Sequence, residues 1–345
     1  MRTLLADLTT LRVGGPARRV VVAETEAELI ASVREADADG PAALVVAGGS
    51  NLVVGDAGVD ATVVLVRTRG IAVEADTCGG AWLTVAAGEP WDGVVELAVA
   101  EQWAGIEALS GIPGSAGATP IQNVGAYGQE VADVIARVRT FDRADGVVRT
   151  FMASDCGFGY RSSRFKSDLG RYLVLDVALQ LRLSPTSGPL RYAELARRLG
   201  TDVGSRAPIA DVRAAVLALR REKGMVLDDA DHDTWSVGSF FTNPVLSVAA
   251  AATLPLEAPR YPTADGRIKT SAAWLIARSG IGPGHSLGTA AAVSTKHTLA
   301  LTNRGGATTA DILALAADVR DRVRAAFGVV LEPEPTLVAC ALATT

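Results

Sequence analysis

The chain has few residues of the types that bind metal ions or cross-link a fold. Its 345 residues include three cysteines and three histidines, and neither a Cys-x-x-Cys nor a His-x-x-x-His pair occurs. These residues are Cys78, Cys156, Cys340, His232, His285 and His297. Their wide spacing argues against a disulfide scaffold and a thiolate zinc site, and it gives poor support to an imidazole metal site. We therefore predict no metal.

Long apolar runs and excess positive charge are also missing. Apolar stretches such as 42–47 are far shorter than the ~20 residues that span a bilayer, and the first residues lack the apolar core of a signal peptide. The net charge is −5, from 33 basic and 38 acidic residues, which argues against binding to nucleic acid or to an anionic membrane. With 49% hydrophobic and 21% charged residues, the chain is typical of a cytosolic α/β protein of two to three domains.

The first ~70 residues read as a small α/β unit. β-branched runs at 19–23, 43–47 and 62–66 predict buried strands. Between the first two lies a predicted helix that Thr25 can cap and Gly40 can end. Its helically spaced apolar residues are Leu29, Ile30, Val33 and Ala36.

Two further units follow, the last beginning near residue 226. Strands are predicted at 71–76, 82–88, 136–142, 146–151 and 172–183, and helices at 91–105 (with Trp103 on the apolar face), 191–199 and 210–222. In the last unit we predict a helix at 271–280, a strand at 297–303, a helix at 308–328 and a strand region at 329–340. The last helix should bury Ile312, Leu315, Ala316, Val319 and Val323.

Two glycine-rich segments are candidates for ligand binding. The first, Gly48, Gly49, Ser50, Asn51 and Leu52, follows a predicted strand and can aim successive N–H groups at a pyrophosphate. It matches neither G-x-G-x-x-G nor the P-loop, so a plain tight turn remains the alternative. The second, 110–128, has five glycines and two prolines in 19 residues, which should forbid a helix or central strand. We expect it to wrap a flat or extended ligand; an ordinary surface loop is the alternative.

Three single residues could carry chemistry. Arg161, after two glycines, could stabilise an oxyanion or be a surface arginine in a turn. Ser239 precedes Phe240 and Phe241, of which at least one should be buried. This serine lacks a G-x-S-x-G elbow, so it could donate a proton from a water-poor place or only satisfy a backbone group. Glu334 lies between two prolines, as a rigidly held carboxylate or as part of a solvated strand edge.

Together these segments resemble the UDP-N-acetylenolpyruvoylglucosamine reductase family over nearly the whole chain. The resemblance rests on segments in matching order: 9–17 (TTLRVGGPA), 47–54 (AGGSNLVV), 110–128, 158–166 (FGYRSSRFK), 190–195 (LRYAEL), 238–244 (GSFFTNP), 272–280 and 331–335 (LEPEP). The tyrosine of LRYAEL points to the first of the two types of this family.

The resemblance implies a fold and a domain order. The fold would be α/β (α+β), a vanillyl-alcohol-oxidase or PCMH-type FAD-binding fold with an inserted α/β domain. Residues 1–70 would form the first FAD-binding subdomain, and 71–225 with 330–345 the second, to which the last strand would return. Residues 226–329 would bind the UDP-sugar.

The resemblance also implies a reaction of peptidoglycan precursor synthesis. NADPH would reduce non-covalently bound FAD, and UDP-N-acetylglucosamine enolpyruvate would become UDP-N-acetylmuramate. Hydride would reach the β-carbon of the enolpyruvyl ether and a proton the α-carbon. Arg161 would stabilise the enediolate, Glu334 would hold or share a proton at the same carboxylate, and Ser239 would be the general acid.

Binding residues carry over by position. The segment 48–52 would hold the FAD pyrophosphate, and the flavin and ribityl chain would lie along Gly114, Ser115, Thr119, Asn123 and Gly125. The UDP-sugar would be contacted by Tyr192, Lys223, Asn243, Tyr261 and Lys269. His285 stands near a lysine of many relatives and could replace it, the role of His297 stays open, and Cys156 is the one candidate for covalent flavin attachment. We expect a cytoplasmic monomer.

Two other functions fit parts of the pattern. An FAD oxidase or dehydrogenase acting on another hydroxy acid or alcohol has no evident need for GSFFTNP, Tyr192 and Glu334. A non-catalytic nucleotide-sugar or flavin-binding protein would be expected to lack Arg161, Ser239 or Glu334, and all three are present.

Overall fold

A computed structural model describes residues 3–76 and 79–343. Contacts divide the chain into two compact units. Unit 1 comprises the chain up to Pro16, Gly49–Val59, and the chain from Lys223 onward; unit 2 comprises Ala17–Gly48 and Asp60–Glu222. Cys78 lies outside the described residues, whereas Cys156 and Cys340 are free thiols.

The described chain contains both strands and helices throughout. The strands are β1 (Ala17–Ala23), β2 (Leu44–Val46), β3 (Leu52–Val54), β4 (Val59–Val66), β5 (Ile71–Asp76), β6 (Gly80–Ala86), β7 (Trp103–Ala104), β8 (Gly125–Ala126), β9 (Gln129–Glu130), β10 (Ile135–Asp142), β11 (Val147–Met152), β12 (Tyr172–Leu183), β13 (Val245–Leu246), β14 (Tyr261–Pro262), β15 (Ile268–Lys269), β16 (Ala291–Val293), β17 (Leu301–Asn303) and β18 (Thr336–Val338). The helices are α1 (Glu26–Ala38), α2 (Trp91–Ala100), α3 (Thr119–Gln122), α4 (Arg164–Ser167), α5 (Ala193–Arg198), α6 (Ile209–Glu222), α7 (Val248–Ala252), α8 (Ala272–Arg278) and α9 (Thr309–Phe327).

Unit 2 is built on an antiparallel sheet in the order β11-β10-β12-β6-β5, with β7 also paired to β12. The long strand β12 lies at its centre and buries seven consecutive residues, all of them apolar except Asp176. A smaller sheet, β1-β4-β2, carries the predicted strands of the first 70 residues. As predicted, Thr25 caps α1, in a capping box with Glu28.

Two local predictions in unit 2 were wrong. The helix predicted at 91–105 ends at Ala100, because Gln102 takes a left-handed φ of 59° and Trp103 enters β7 opposite Leu183. The segment 110–128 was expected to exclude a helix, yet it contains the single turn α3. Pro120 lies in the first turn of α3, where its missing N–H removes no helical hydrogen bond.

Unit 1 packs α8 and α9 with the hairpin β16-β17 around a second core. All five predicted apolar residues of α9 are buried, and Asp56 accepts hydrogen bonds from the N–H groups of Thr309 and Ala310 at the helix start. Of the strand predicted at 297–303, only β17 is formed. The residues before it form a turn, in which Ala300 N–H donates to the His297 carbonyl.

The last strand, β18, pairs in parallel with β3 of the same unit. The contacts group the chain after β17 with 223–303 and with 49–59, whereas the return of the last strand to the segment 71–225 stays a prediction from the family resemblance. The sequence of 329–340 predicts a strand but does not encode its partner. The three functional domains with boundaries near 70 and 226 stay a prediction. In the described chain, no helix is long and apolar enough to cross a membrane.

Candidate functional site

The two glycine-rich segments meet inside unit 2. A Cβ added at Gly48 would lie 2.7 Å from the Gly114 Cα, so the two backbones are in direct contact. Beside this contact, the Ser115 hydroxyl is buried and has no hydrogen-bond partner among the described residues. A buried donor without a partner costs free energy unless a ligand satisfies it.

Residues 49–52 are held from two directions within unit 1. Gly49 has a φ of 61°, and a Cβ there would lie 1.9 Å from the Leu8 carbonyl oxygen. The Gly49 carbonyl accepts a hydrogen bond from Thr10 N–H, and the Asn51 carbonyl accepts one from Thr336 N–H at 2.9 Å. The turn therefore requires glycine, and the chain on either side is fixed by backbone contacts. The anion nest predicted for the N–H groups of 48–52 stays a prediction.

The side chain of Asn123 makes three hydrogen bonds within the protein. Its Nδ2 donates to Glu130 Oε2 and to the Gly159 carbonyl, both at 2.9 Å, and its Oδ1 accepts from Ala132 N–H. The contact of Asn123 with FAD stays a prediction. The predicted contact Thr119 is similarly engaged, since its hydroxyl donates to the Ala116 carbonyl at 2.7 Å.

Arg161 is anchored on this loop. Its guanidinium donates to the carbonyl oxygens of Asn123 (3.2 Å) and Gly125 (2.6 Å), and its φ of 49° is left-handed. Asn123 and Tyr127 share this conformation, with φ of 43° and 48°. Left-handed backbone costs an L-residue roughly 1–2 kcal/mol, and such strain concentrates at functional sites. These contacts weigh against the alternative of an ordinary surface arginine.

The segments that carry Ser239 and Glu334 pair with each other in unit 1. The segments 239–242 and 332–334 run antiparallel, with Glu334 N–H donating to the Phe240 carbonyl at 2.8 Å and Thr242 N–H to the Glu332 carbonyl at 3.0 Å. On the other side, Phe240 N–H donates to the Leu299 carbonyl, and Ser239 bridges to Ala300. The segment 239–242 therefore pairs with 299–300 on one side and with 332–334 on the other, where Glu334 lies opposite Phe240.

The phenylalanines next to Ser239 anchor this segment in the core of unit 1. Phe240 and Phe241 are 0% and 1% exposed, and their ring centroids lie 5.1 Å apart. Burial of at least one ring was predicted, and both are buried. Ser239 itself is half-buried, so the water-poor surroundings expected from its neighbours are only partly present. Arg161 belongs to unit 2, whereas Ser239 and Glu334 belong to unit 1.

The predicted UDP-sugar residues fall into separate groups. In unit 2, Tyr192 is 44% exposed and packs edge-on against Tyr127, with ring centroids 5.4 Å apart. Burial raises the pKa of Tyr127 to about 12, so this phenol stays protonated. In unit 1, Tyr261 lies opposite Lys269 in the sheet β13-β15-β14.

The other two predicted UDP-sugar residues also lie in unit 1. The Asn243 Oδ1 accepts from Ala272 N–H at 2.9 Å, which ties the segment before β13 to the start of α8. Lys223 directly follows α6. None of these positions is tested as a ligand contact, so each stays a prediction.

The residues left open by the sequence have structural partners. His285 Nε2 lies 2.8 Å from Asp318 Oδ2 of α9, and Asp318 also accepts from Arg322. Replacement of a phosphate-binding lysine by His285 therefore gains no support. The Cys156 thiol is fully buried, lies 3.3 Å from the Met152 carbonyl oxygen, and has its pKa raised to about 12 by burial. An inert thiol of this kind fits non-covalent flavin binding.

Family models match two long parts of the chain. Residues 17–151 match the FAD binding domain, and 229–338 match the C-terminal domain of UDP-N-acetylenolpyruvoylglucosamine reductase. The close backbone approach at Gly48 and the buried Ser115 hydroxyl both fit a bound FAD. The fold and site thus define an FAD-dependent oxidoreductase with a PCMH-type FAD-binding fold.

Whole-chain relatives specify the family. The UDP-N-acetylenolpyruvoylglucosamine reductase of Cutibacterium acnes is 56% identical over 98% of this chain and 90% of its own, and that of Salinispora arenicola 56% over 98% and 95%. The crystal structure of the Thermus caldophilus reductase (MurB) covers 98% of both chains, with 28% identity and a TM-score of 0.66. The chain belongs to the UDP-N-acetylenolpyruvoylglucosamine reductase family, which confirms the resemblance drawn from its motifs.

Proposed function

We propose that this protein reduces UDP-N-acetylglucosamine enolpyruvate to UDP-N-acetylmuramate, a peptidoglycan precursor, with NADPH as the reductant. The observation that carries the proposal is the antiparallel backbone pairing of 239–242 with 332–334, which joins the segment that carries the serine of one family motif to the segment that carries the glutamate of the other. Family membership at 56% identity supports the same substrate.

FAD supplies the two-electron hydride chemistry when bound. Over the whole reaction the substrate double bond gains a hydride at its β-carbon and a proton at its α-carbon, while NADPH becomes NADP⁺. The protein must hold the FAD, orient the enolpyruvyl group, stabilise the charge that develops and supply one proton. The glycine contact at Gly48 and Gly114 and the hydroxyl of Ser115 are suited to the first of these tasks.

Arg161 stabilises the developing charge. Hydride addition to an α,β-unsaturated carboxylate spreads negative charge onto the carboxylate as an enediolate. A fixed guanidinium stabilises that charge without reorganising during the reaction. The hydrogen bonds from Arg161 to two backbone carbonyls support this role, since they fix the cation before the substrate arrives. Glu334 acts at the same carboxylate by holding or sharing a proton, because an unshared negative charge there would repel the enediolate.

Ser239 donates the proton to the α-carbon. The backbone bonds of Phe240 N–H and of Glu334 N–H fix the chain directly after Ser239. General acid catalysis of this kind contributes typically 10²–10⁴-fold to a rate. An alcohol is a weak acid, so the proton transfer depends on close placement of the Ser239 hydroxyl against the α-carbon of the enediolate.

The test measures the two half-reactions, flavin reduction and flavin reoxidation, separately in the Ser239→Ala variant by anaerobic rapid mixing. We expect reduction of the flavin by NADPH at the wild-type rate and reoxidation by the enolpyruvyl substrate slowed by about 10²–10⁴-fold. Thr242→Ala is the matched control, because its hydroxyl makes only a 3.5 Å contact on the same ladder. Wild-type reoxidation in Ser239→Ala would contradict the role of the serine. Reduced flavin that reoxidises only with oxygen would instead favour an oxidase acting on another substrate.

A further inference from the structure

Lys166 is a cation of the 158–166 motif that the proposed chemistry leaves unused. It lies in the short helix α4, whose N-cap is Ser163. The Ser163 hydroxyl accepts from Lys166 N–H at 3.1 Å and donates to the Ile121 carbonyl at 2.8 Å. Ser163 thereby joins α4 to α3 within unit 2, and these bonds fix the backbone position of Lys166.

The Lys166 side chain bonds to two groups beside the proposed anion-stabilising arginine. Its Nζ donates to Gln122 Oε1 at 3.0 Å and to the carbonyl oxygen of Arg161 at 3.2 Å. Gln122 is the last residue of α3, and its neighbour Asn123 accepts from the Arg161 guanidinium. The lysine therefore contacts both the backbone of Arg161 and the loop on which the guanidinium rests.

The Arg161 backbone needs such a contact. Its left-handed φ is disfavoured relative to ordinary backbone by a factor of about 5–30 in population. Arg161 lies in a tight turn closed by reciprocal hydrogen bonds between Gly159 and Ser162, at 3.0 and 3.1 Å. A charge-assisted bond to the Arg161 carbonyl favours this conformation, because relaxation of the turn would swing that carbonyl away from the ammonium group.

We propose that Lys166 is a positioning residue that locks Arg161 in its left-handed conformation, so that the guanidinium stays on the carbonyls of Asn123 and Gly125. The proposal rests on the role of Arg161 in the proposed function. Lys166 contributes to the rate through the placement of Arg161 rather than through contact with the substrate.

The first test is Lys166→Met, which removes the donors and keeps an unbranched side chain. We expect the rate constant of flavin reoxidation at saturating enolpyruvyl substrate to fall about 5–30-fold, with FAD affinity and flavin reduction by NADPH unchanged. Lys166→Arg should restore most of the rate, because a guanidinium can also donate to both oxygens. The control is Arg164→Met on the same helix, whose side chain donates to the Asp155 carbonyl instead.

The second test is a double-mutant cycle with Arg161→Ala. If Lys166 acts through Arg161, then Lys166→Met changes the reoxidation rate less than twofold in the Arg161→Ala background. An undiminished effect in that background overturns the proposal, as does a wild-type rate in Lys166→Met. A wild-type rate in Arg161→Ala would overturn the proposed role of Arg161 and with it this inference. A slow Arg161→Ala beside an unaffected Lys166→Met overturns the inference alone.

Discussion

The contact between Gly48 and Gly114 predicts a large effect from one added methyl group. In Gly48→Ala the new Cβ would lie 2.7 Å from the Gly114 Cα, whereas ordinary contacts begin near 3.4 Å. The two backbones would have to separate by about 0.7 Å. Overpacking of this kind costs typically 1–3 kcal/mol. If that cost falls on the FAD-bound state, the Kd for FAD rises about 5–150-fold.

The assay is titration of the apoprotein with FAD, followed by flavin fluorescence, beside the melting temperature of the apo and FAD-bound forms. We expect weaker FAD binding and a lower melting temperature for Gly48→Ala. Gly93→Ala is the matched control, because Gly93 lies within α2 and a Cβ there has nothing within 4 Å. Alanine in a helix is up to about 1 kcal/mol more favourable than glycine, so this control should keep its FAD affinity and melt no lower than wild type. A Kd within twofold and an unchanged melting temperature for Gly48→Ala would refute the close approach.

Two further predictions concern buried groups in unit 2. Hydrogen bonds from Arg171, aided by Arg149, hold the pKa of the fully buried Asp142 well below its usual range. This stabilisation should be complete above about pH 4 and lost as the pH falls toward the depressed pKa. Asp142→Asn should therefore lower the free energy of unfolding, measured with urea at pH 7, by about 1.5–3 kcal/mol. The free energy of unfolding of the variant should also fall less steeply than that of the wild type as the pH is lowered. Equal stability of the two proteins at pH 7 would contradict this prediction. Cys156 should resist thiol reagents until the protein unfolds, and denaturation should release all of the flavin, whereas retained flavin would indicate a covalent bond.

Periodic segments of the fold were predicted from the sequence because burial alone determines them. β12 is predicted residue for residue, and the apolar face of α9 is buried as expected. The failures occur where one residue overrides the local pattern. Trp103 continues the helical spacing of α2, but the left-handed Gln102 redirects it into a strand. Pro120 reads as a helix breaker, yet it occupies the first turn of α3, where proline is tolerated.

The site was predicted as a set of motifs but not as a set of contacts. Ser239 and Glu334 lie about a hundred residues apart, and the ladder that joins them depends on pairing that no local pattern encodes. Asn123 stays a predicted FAD contact, but the bonds of its side chain to Glu130, the Gly159 carbonyl and Ala132 N–H could not be predicted from the sequence. Lys166 could not be singled out, since its role depends on the conformation of Arg161.

The pairing of β3 with β18 has a consequence for synthesis of the protein on the ribosome. Cys340, just after β18, contacts the carbonyl of Val53 across a separation of 287 residues. At roughly 5–20 residues per second, about 15–60 s pass between the translation of the two segments. During this interval Val53 and Val54, fully buried in the finished protein, lack the strand that later covers them. The nascent chain thus carries an apolar strand edge of the kind that chaperones bind, and the turn that follows Gly48 gains its last backbone partner only when residue 336 is made.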